Sequence, residues 1–310
     1  MHFSIRAHLI QTKYNVMLLK GKISIFDFVK TIRNDLFAIT AFSIAVGLIA
    51  TQRYFASLVI PLALVAIVGT AISLLLAFRT GQAYDRWWEA RIVWGAIVND
   101  SRTLIRQLHE FLPDGEEEEI RMFMERQVIW NYALSESLRG VPFSATVRKY
   151  IDAQGIKDFN VPNAVLLKHG LQLKRLSQEG KLTEFRQVQL DTTLTKLCDS
   201  MGRCERIKNT VFPASYSALL HFLIYLFTLL LPFSLDDNYA FIKAVLTAGI
   251  PTIFIIIERT AILMQDPFEN GPMDTPMTNI SQNIEFVLRQ QMGENVEKPA
   301  GPDPEFYYVL

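Results

Sequence analysis

Residues 56–78 run for 23 positions without a charge, and Arg79 opens a stretch in which charges recur every few residues as far as Asn209. A run of that length crosses a hydrocarbon core of about 30 Å at about 1.5 Å per residue. No Pro or Gly-rich breaker separates the apolar run from Tyr84-Asp-Arg-Trp-Trp-Glu-Ala-Arg91, so the pattern predicts one helix leaving a membrane and entering an aqueous body. Three further apolar runs have the length of a span: about 34–52, about 214–234 with His221 as its ionisable group, and about 239–262. The last carries Lys243 near its start, Pro251 at its middle and Glu258-Arg259 near its end; the latter pair is expected at an interface. The short connection around Thr51–Phe55 makes the first two spans antiparallel neighbours.

Between the second and third spans the periodicity is helical. Helices are expected at about 82–111 (continuing the second span), 116–138, 144–153, 162–178 and 183–210, punctuated by Pro142, Gly155, Pro162 and Gly180. Residues 1–30 mix Phe26, Phe28 and Val29 with Arg6, Lys13, Lys20 and Lys22, which reads equally as an amphipathic segment at a membrane surface or as a plain packing helix, and not as a cleavable signal peptide. The chain beyond Gly293, rich in Pro, is expected to be extended, with Phe306–Leu310 docking on a surface. The expected organisation is a segment at 1–30, spans at 31–78, a helical cytoplasmic domain at 79–208, spans at 209–265 and a cytoplasmic tail at 266–310. Lys and Arg crowd the N-terminal segment and the start of the central domain, while the loops at 51–55 and 235–238 hold one Arg. The positive-inside rule then puts both termini and the central domain in the cytoplasm, with the spans in the inner (plasma) membrane.

Composition narrows the function. Half of the 310 residues are apolar, and 31 Lys and Arg balance 31 Asp and Glu, so nothing favours nucleic acid. No phosphate-binding glycine loop, nucleophile elbow or His-Glu-x-x-His motif occurs, which leaves an enzyme or a cofactor site without residues to stand on. Cys198 and Cys204 read as packed, reduced thiols. The acidic run Asp114–Glu119 reads as a helix start. His221 reads as a neutral imidazole bonded to a neighbouring helix.

On the second span, Thr70, Leu74 and Phe78 recur at every fourth position and share a face. Gly69, Ala71, Ser73 and Ala77 would let neighbouring helices approach closely. Spacing alone suits either a packing face or a pore lining. Where the helix leaves the membrane, Asp85, Arg86, Glu89 and Arg91 are expected to form an interhelical ion-pair network.

The signature Pro61, Gly69, Phe78-Arg79, Tyr84-Asp-Arg86, Glu89-Ala-Arg91 and Trp94-Gly95 resembles the second-helix region of bacterial bestrophin homologues. Gly180-Lys-Leu182, Gly202–Ile207, Pro213 with Tyr216, Leu231-Pro-Phe233 and Asp266-Pro-Phe268 follow in the family's order, so the resemblance covers roughly residues 20–290. It implies an all-α homopentameric channel, with Thr70, Leu74 and Phe78 in a hydrophobic neck and Phe185 at a second, cytoplasmic constriction. Animal bestrophins pass chloride through an aromatic-rich neck. The Thr and Leu here resemble bacterial homologues, and imply cation conduction, with anion conduction as the alternative. Animal members also clasp calcium with a dense acidic run. Asp266, Glu269 and Asp274 are too few carboxylates for that chemistry, so no metal is expected. The partners implied are four further copies of the chain, membrane lipid and small monovalent ions. A secondary transporter is a rival, although 31–78 and 209–265 show no repeat. A non-conducting scaffold is another.

Overall fold

A computed structural model describes residues 25–55, 58–210, 212–236, 240–269, 271 and 273–299. Most of the expected N-terminal segment and the docking tail Phe306–Leu310 lie outside the described residues. Among those described there is no strand, and nine α-helices run in the order α1 Ile25–Ala50, α2 Leu62–Phe111, α3 Glu117–Arg139, α4 Ala145–Gln154, α5 Val161–Gln178, α6 Glu184–Asn209, α7 Ala214–Leu230, α8 Ala240–Gln265 and α9 Met277–Gln291. Four of them (α1, α2, α7 extended to Phe233, and α8) are long and apolar enough to cross a membrane.

The second span begins later than its charge-free run suggests. Residues 58–61 are not helical, and α2 starts after Pro61, whose fixed φ and missing N–H suit the edge of a helix. From there α2 continues unbroken for 50 residues, about 75 Å. It is the spine of two separate apolar cores. In the first, Ile72 and Leu76 pack with Ile39 of α1, Leu220 and Ile224 of α7 and Ile255 of α8. In the second, Trp94, Ile97, Leu104 and Leu108 pack with Phe123 and Trp130 of α3, Leu173 of α5 and Leu197 of α6. Full burial of Trp94, Trp130 and Phe123 stabilises this polar-surfaced body by about 1.5–3 kcal/mol per large side chain.

Punctuation residues set the body's turns. Gly140 ends α3 in the left-handed region at φ +65°, its N–H on the carbonyls of Glu136 and Ser137. Asn160 caps α5 by accepting from the Asn163 N–H. At the α5–α6 corner Gly180 has φ +75°, which reverses the chain so that α6 returns beside α2.

The pairing of α2 and α6 is antiparallel along most of the length of α6. Glu89 meets Arg206, Gln107 accepts from the Thr193 hydroxyl at 2.8 Å, and the Phe111 carbonyl accepts from Arg186 at 3.0 Å. Helix α9 was not expected from the sequence. Its buried positions Met277, Ser281, Ile284 and Leu288 lie on one face, packed against α2 and α3.

Candidate functional site

In its apolar half α2 leaves a broad face uncovered, which includes Leu64, Ile67, Ala71, Ser73 and Ala77. Thr70, Leu74 and Phe78 form a stripe along that face, Leu74 exposed to 69% and Phe78 to 64%. The stripe continues through Gly81, Asp85, Trp88, Ile92, Gly95, Asn99, Arg102 and Arg106, at alternating steps of three and four residues. The opposite face does the packing. Gly69 lets the Phe227 ring so close that a Cβ there would lie 3.1 Å from it.

Phe185 lies at the other end of the same helix. It is 88% exposed, in the first turn of α6, one residue before the Arg186 that bonds the last carbonyl of α2. Thr70, Leu74 and Phe78 therefore sit near one end of α2 and Phe185 near the other.

Where the apolar part of α2 ends, Arg86 acts as a clamp. Its guanidinium donates to the carbonyls of Gln265 (2.9 Å), Thr210 (2.7 Å) and Ile207 (2.8 Å), and stands 3.5 Å from the Asp266 carboxylate. These carbonyls close α6 and α8, where orphan acceptors and the negative dipole end favour a cation. Trp87 donates its indole N–H to the Met273 carbonyl at 2.6 Å, and Arg91 lies over the Trp87 ring. Glu89 pairs with Arg206. The expected network thus has a different composition: Arg86 works mainly on carbonyls, and Asp85 stands outside it, exposed on the stripe.

A second polar cluster lies within the apolar layer. Arg79 donates to Glu258 Oε1 at 3.0 Å, and the other Glu258 oxygen is 2.8 Å from His221 Nε2. The sequence names no partner for Arg79, and Glu258 with Arg259 was expected at an interface. Glu258 is instead fully buried, and Arg259 reaches Asp35 of α1. The imidazole meets a carboxylate on a neighbouring helix, as its sequence context implied in outline.

The acids considered for calcium go separate ways. Asp266 faces Arg86, Glu269 pairs with Lys208, and Asp274 is buried, accepting from the Gly271 N–H at 2.8 Å. Among the described residues no three His, Cys, Asp or Glu side chains converge on a metal-sized space. Of the cysteines, Cys204 is buried, its thiol pushed up to about 12 by that burial, while Cys198 is exposed and not packed as expected. In the body, His169 is sealed in, stacked on Phe123 and 3.4 Å from Arg126; burial first, and the Arg126 charge second, hold its imidazole well below the usual 6.5.

A family model described as bacterial/fungal bestrophin protein matches residues 11–290. The chain belongs to the bestrophin family. Among its relatives, the voltage-dependent anion channel-forming protein YneE of Escherichia coli K12 is 32% identical over 273 residues, 87% of this chain and 89% of that one. YneE of Salmonella typhimurium is 31% identical over 249 residues, 79% of this chain and 81% of the other. The crystal structure of a bacterial bestrophin homolog from Klebsiella pneumoniae superposes with a TM-score of 0.78 at 27% identity, covering 86% of this bestrophin and all of the Klebsiella chain. The family fits the architecture of this bestrophin: all-helical among the described residues, with four helices able to span a membrane.

Proposed function

We propose that this bestrophin is a passive ion channel of the inner membrane, in which five copies set the exposed stripe of α2 around a common axis. One observation carries the reading. The chain by itself leaves Leu64, Ile67, Leu74 and Phe78 uncovered on one side of α2, opposite the side that packs Ile72 and Leu76 into the first core. A ring of identical stripes would face water along its whole length, with Thr70, Leu74 and Phe78 as a hydrophobic neck and Phe185 as a second constriction at the cytoplasmic end. Apolar rings of this kind pass or block ions by wetting and drying, so a small change in width changes conduction steeply. The YneE relatives, named as voltage-dependent anion channel-forming proteins, support channel activity. The Lys and Arg distribution supports cytoplasmic termini and a cytoplasmic body at 79–208.

For selectivity we favour cations. Asp85 lies seven residues past Phe78, about 10 Å along the helix, within about one screening length of the neck. Five copies would set five carboxylates beneath it. Arg102 and Arg106 share the stripe but lie more than about 35 Å from Phe78, too far to govern the same constriction. The second reading, anion conduction, is supported by the naming of the relatives. The reversal potential of purified protein in a planar bilayer under a KCl gradient separates the two. A value near the potassium equilibrium potential supports the cation reading, and one near that of chloride replaces it. Saturable flux coupled to a second solute would replace both with a transporter.

A further inference from the structure

Two cavities meet at the end of α8 farthest from the Arg86 clamp, and share Ala50, Pro232 and Lys243 as their common wall. One, of about 450 Å³, descends between α1 and α8 past Gly47, Ala244 and Ala248, whose small side chains leave an apolar slot. The other, of about 350 Å³, opens on the opposite side of Lys243 and ends at Ser234 and Asp236. An apolar chamber and a polar chamber joined at a cation have the shape of an amphiphile site.

A third observation lies inside the apolar slot. Thr247 lines it, is 3% exposed, and its hydroxyl has no partner. The other threonines of α8, Thr252 and Thr260, both donate to the carbonyl four residues back. Pro251 has no N–H for the Thr247 carbonyl, so donor and acceptor are both left over at one level of the helix. A buried hydroxyl without a partner in an apolar setting is costly, and a ligand carbonyl would relieve it.

The geometry points to a glycerophospholipid with a primary-amine headgroup, seated between α1 and α8. Its phosphate meets Lys243, its amine meets Asp236 in the polar chamber, an ester carbonyl accepts from Thr247, and an acyl chain fills the slot. The depths agree. Thr247 lies one turn, about 6 Å, below Lys243, and the ester carbonyls of such a lipid lie a comparable distance below its phosphate. Lys243 and Asp236 each already engage a neighbour within the protein. An ammonium has three donors and a carboxylate two oxygens, which leaves both able to take a second partner. A free phosphate would leave the apolar slot empty, and a fatty acid would bring no donor into the polar chamber.

The test is native mass spectrometry of the full-length protein released from mild detergent, with phosphatidylethanolamine, phosphatidylcholine or phosphatidylglycerol added in turn. The expected result is retention of phosphatidylethanolamine at one per chain, about tenfold above the other two, which lack an amine N–H. Lys243→Gln and Asp236→Asn should each lower that retention by about tenfold. Thr247→Val, which keeps the shape and removes the hydroxyl, should lower it, and Thr247→Ser should restore it. Melting temperature and oligomer mass, read alongside, separate lost binding from lost fold. Equal retention of the three lipids, preference for phosphatidylglycerol, or indifference of phosphatidylethanolamine to all of these variants in folded protein overturns the assignment.

Discussion

Arg79 and Glu258 are 179 residues apart in sequence and 3.0 Å apart in space, with side chains 3% and 0% exposed. The pair ties α2 to α8 inside the apolar layer. An ion pair so deep adds little net stability over a hydrophobic pair, but removing one partner strands the other. Glu258→Ala should therefore destabilise the protein by about 3–5 kcal/mol, and Arg79→Met in the same chain should recover most of that loss. Chemical denaturation of the two proteins in detergent measures both. A single variant as stable as the parent would show that the layer is wet at this level.

Leu74 is 69% exposed, so truncating it should cost little stability, and on the proposed pore lining it should widen the neck. Leu74→Ala is expected to raise single-channel conductance in planar bilayers. Unchanged currents from a well-folded variant would place the narrowest point elsewhere.

Asp85 is exposed on the stripe and makes no ion pair with any described residue. Asp85→Asn should move the reversal potential in a KCl gradient toward zero without altering the melting temperature. A reversal potential that ignores the change would remove Asp85 from the selectivity mechanism.

Arg86→Lys keeps the charge and loses the fork. A lysine cannot span the carbonyls of Ile207, Thr210 and Gln265 with a planar guanidinium's reach. Hydrogen exchange should rise at the ends of α6 and α8 first, with about 1.5–3 kcal/mol lost locally. Uniform protection in the variant would contradict the clamp.

His169 gives the body a pH dependence of known sign. Its folded pKa is lowered, so the unfolded chain takes up a proton near the ordinary 6.5 that the folded chain refuses. Stability is full above pH 6.5 and falls as pH drops below it, by about 1.4 kcal/mol per unit. Glu119 adds to this at lower pH. Burial raises its carboxyl, but hydrogen bonds from Arg175 and Gln172 more than offset that and leave it below the ordinary 4.5, so its contribution is lost as pH falls below that value. Melting curves at pH 7.5 and 5.5 should diverge less in His169→Leu than in the parent.

The spans and the helices of the body were legible in the chain because their signals are local. Charge-free length marks a span, and Pro142, Gly155, Pro162 and Gly180 mark the turns between α3 and α6, where the structure adds Gly140 and Asn160 as caps. Three things were not legible. A charge-free run does not say where its helix begins, and Pro61 moved the start of α2 to Leu62. Helix α9 was passed over because it sits between two Pro-bearing stretches, although Met277, Ile284 and Leu288 carried a usable helical period. The partners of Arg79 and Arg86 lie more than a hundred residues away, and no spacing within α2 could name a carbonyl of α6 or a carboxylate of α8. The position of Asp85 shows the same limit at short range: its spacing to Glu89 puts both on one side of a helix, but only the packing of α6 decides which of them meets a cation.

The unbroken α2 also makes the molecule a seesaw. Arg86 grips the helix between its two exposed ends, with Thr70 about 24 Å to one side and Phe111 about 38 Å to the other. A rigid rod tilted by about 5° at that fulcrum carries one end about 2 Å one way and the other about 3 Å the opposite way. Any such tilt would be geared, in fixed proportion and opposite in sense, and a push on the body would reach Thr70 only as far as the two cores packed around α2 give way.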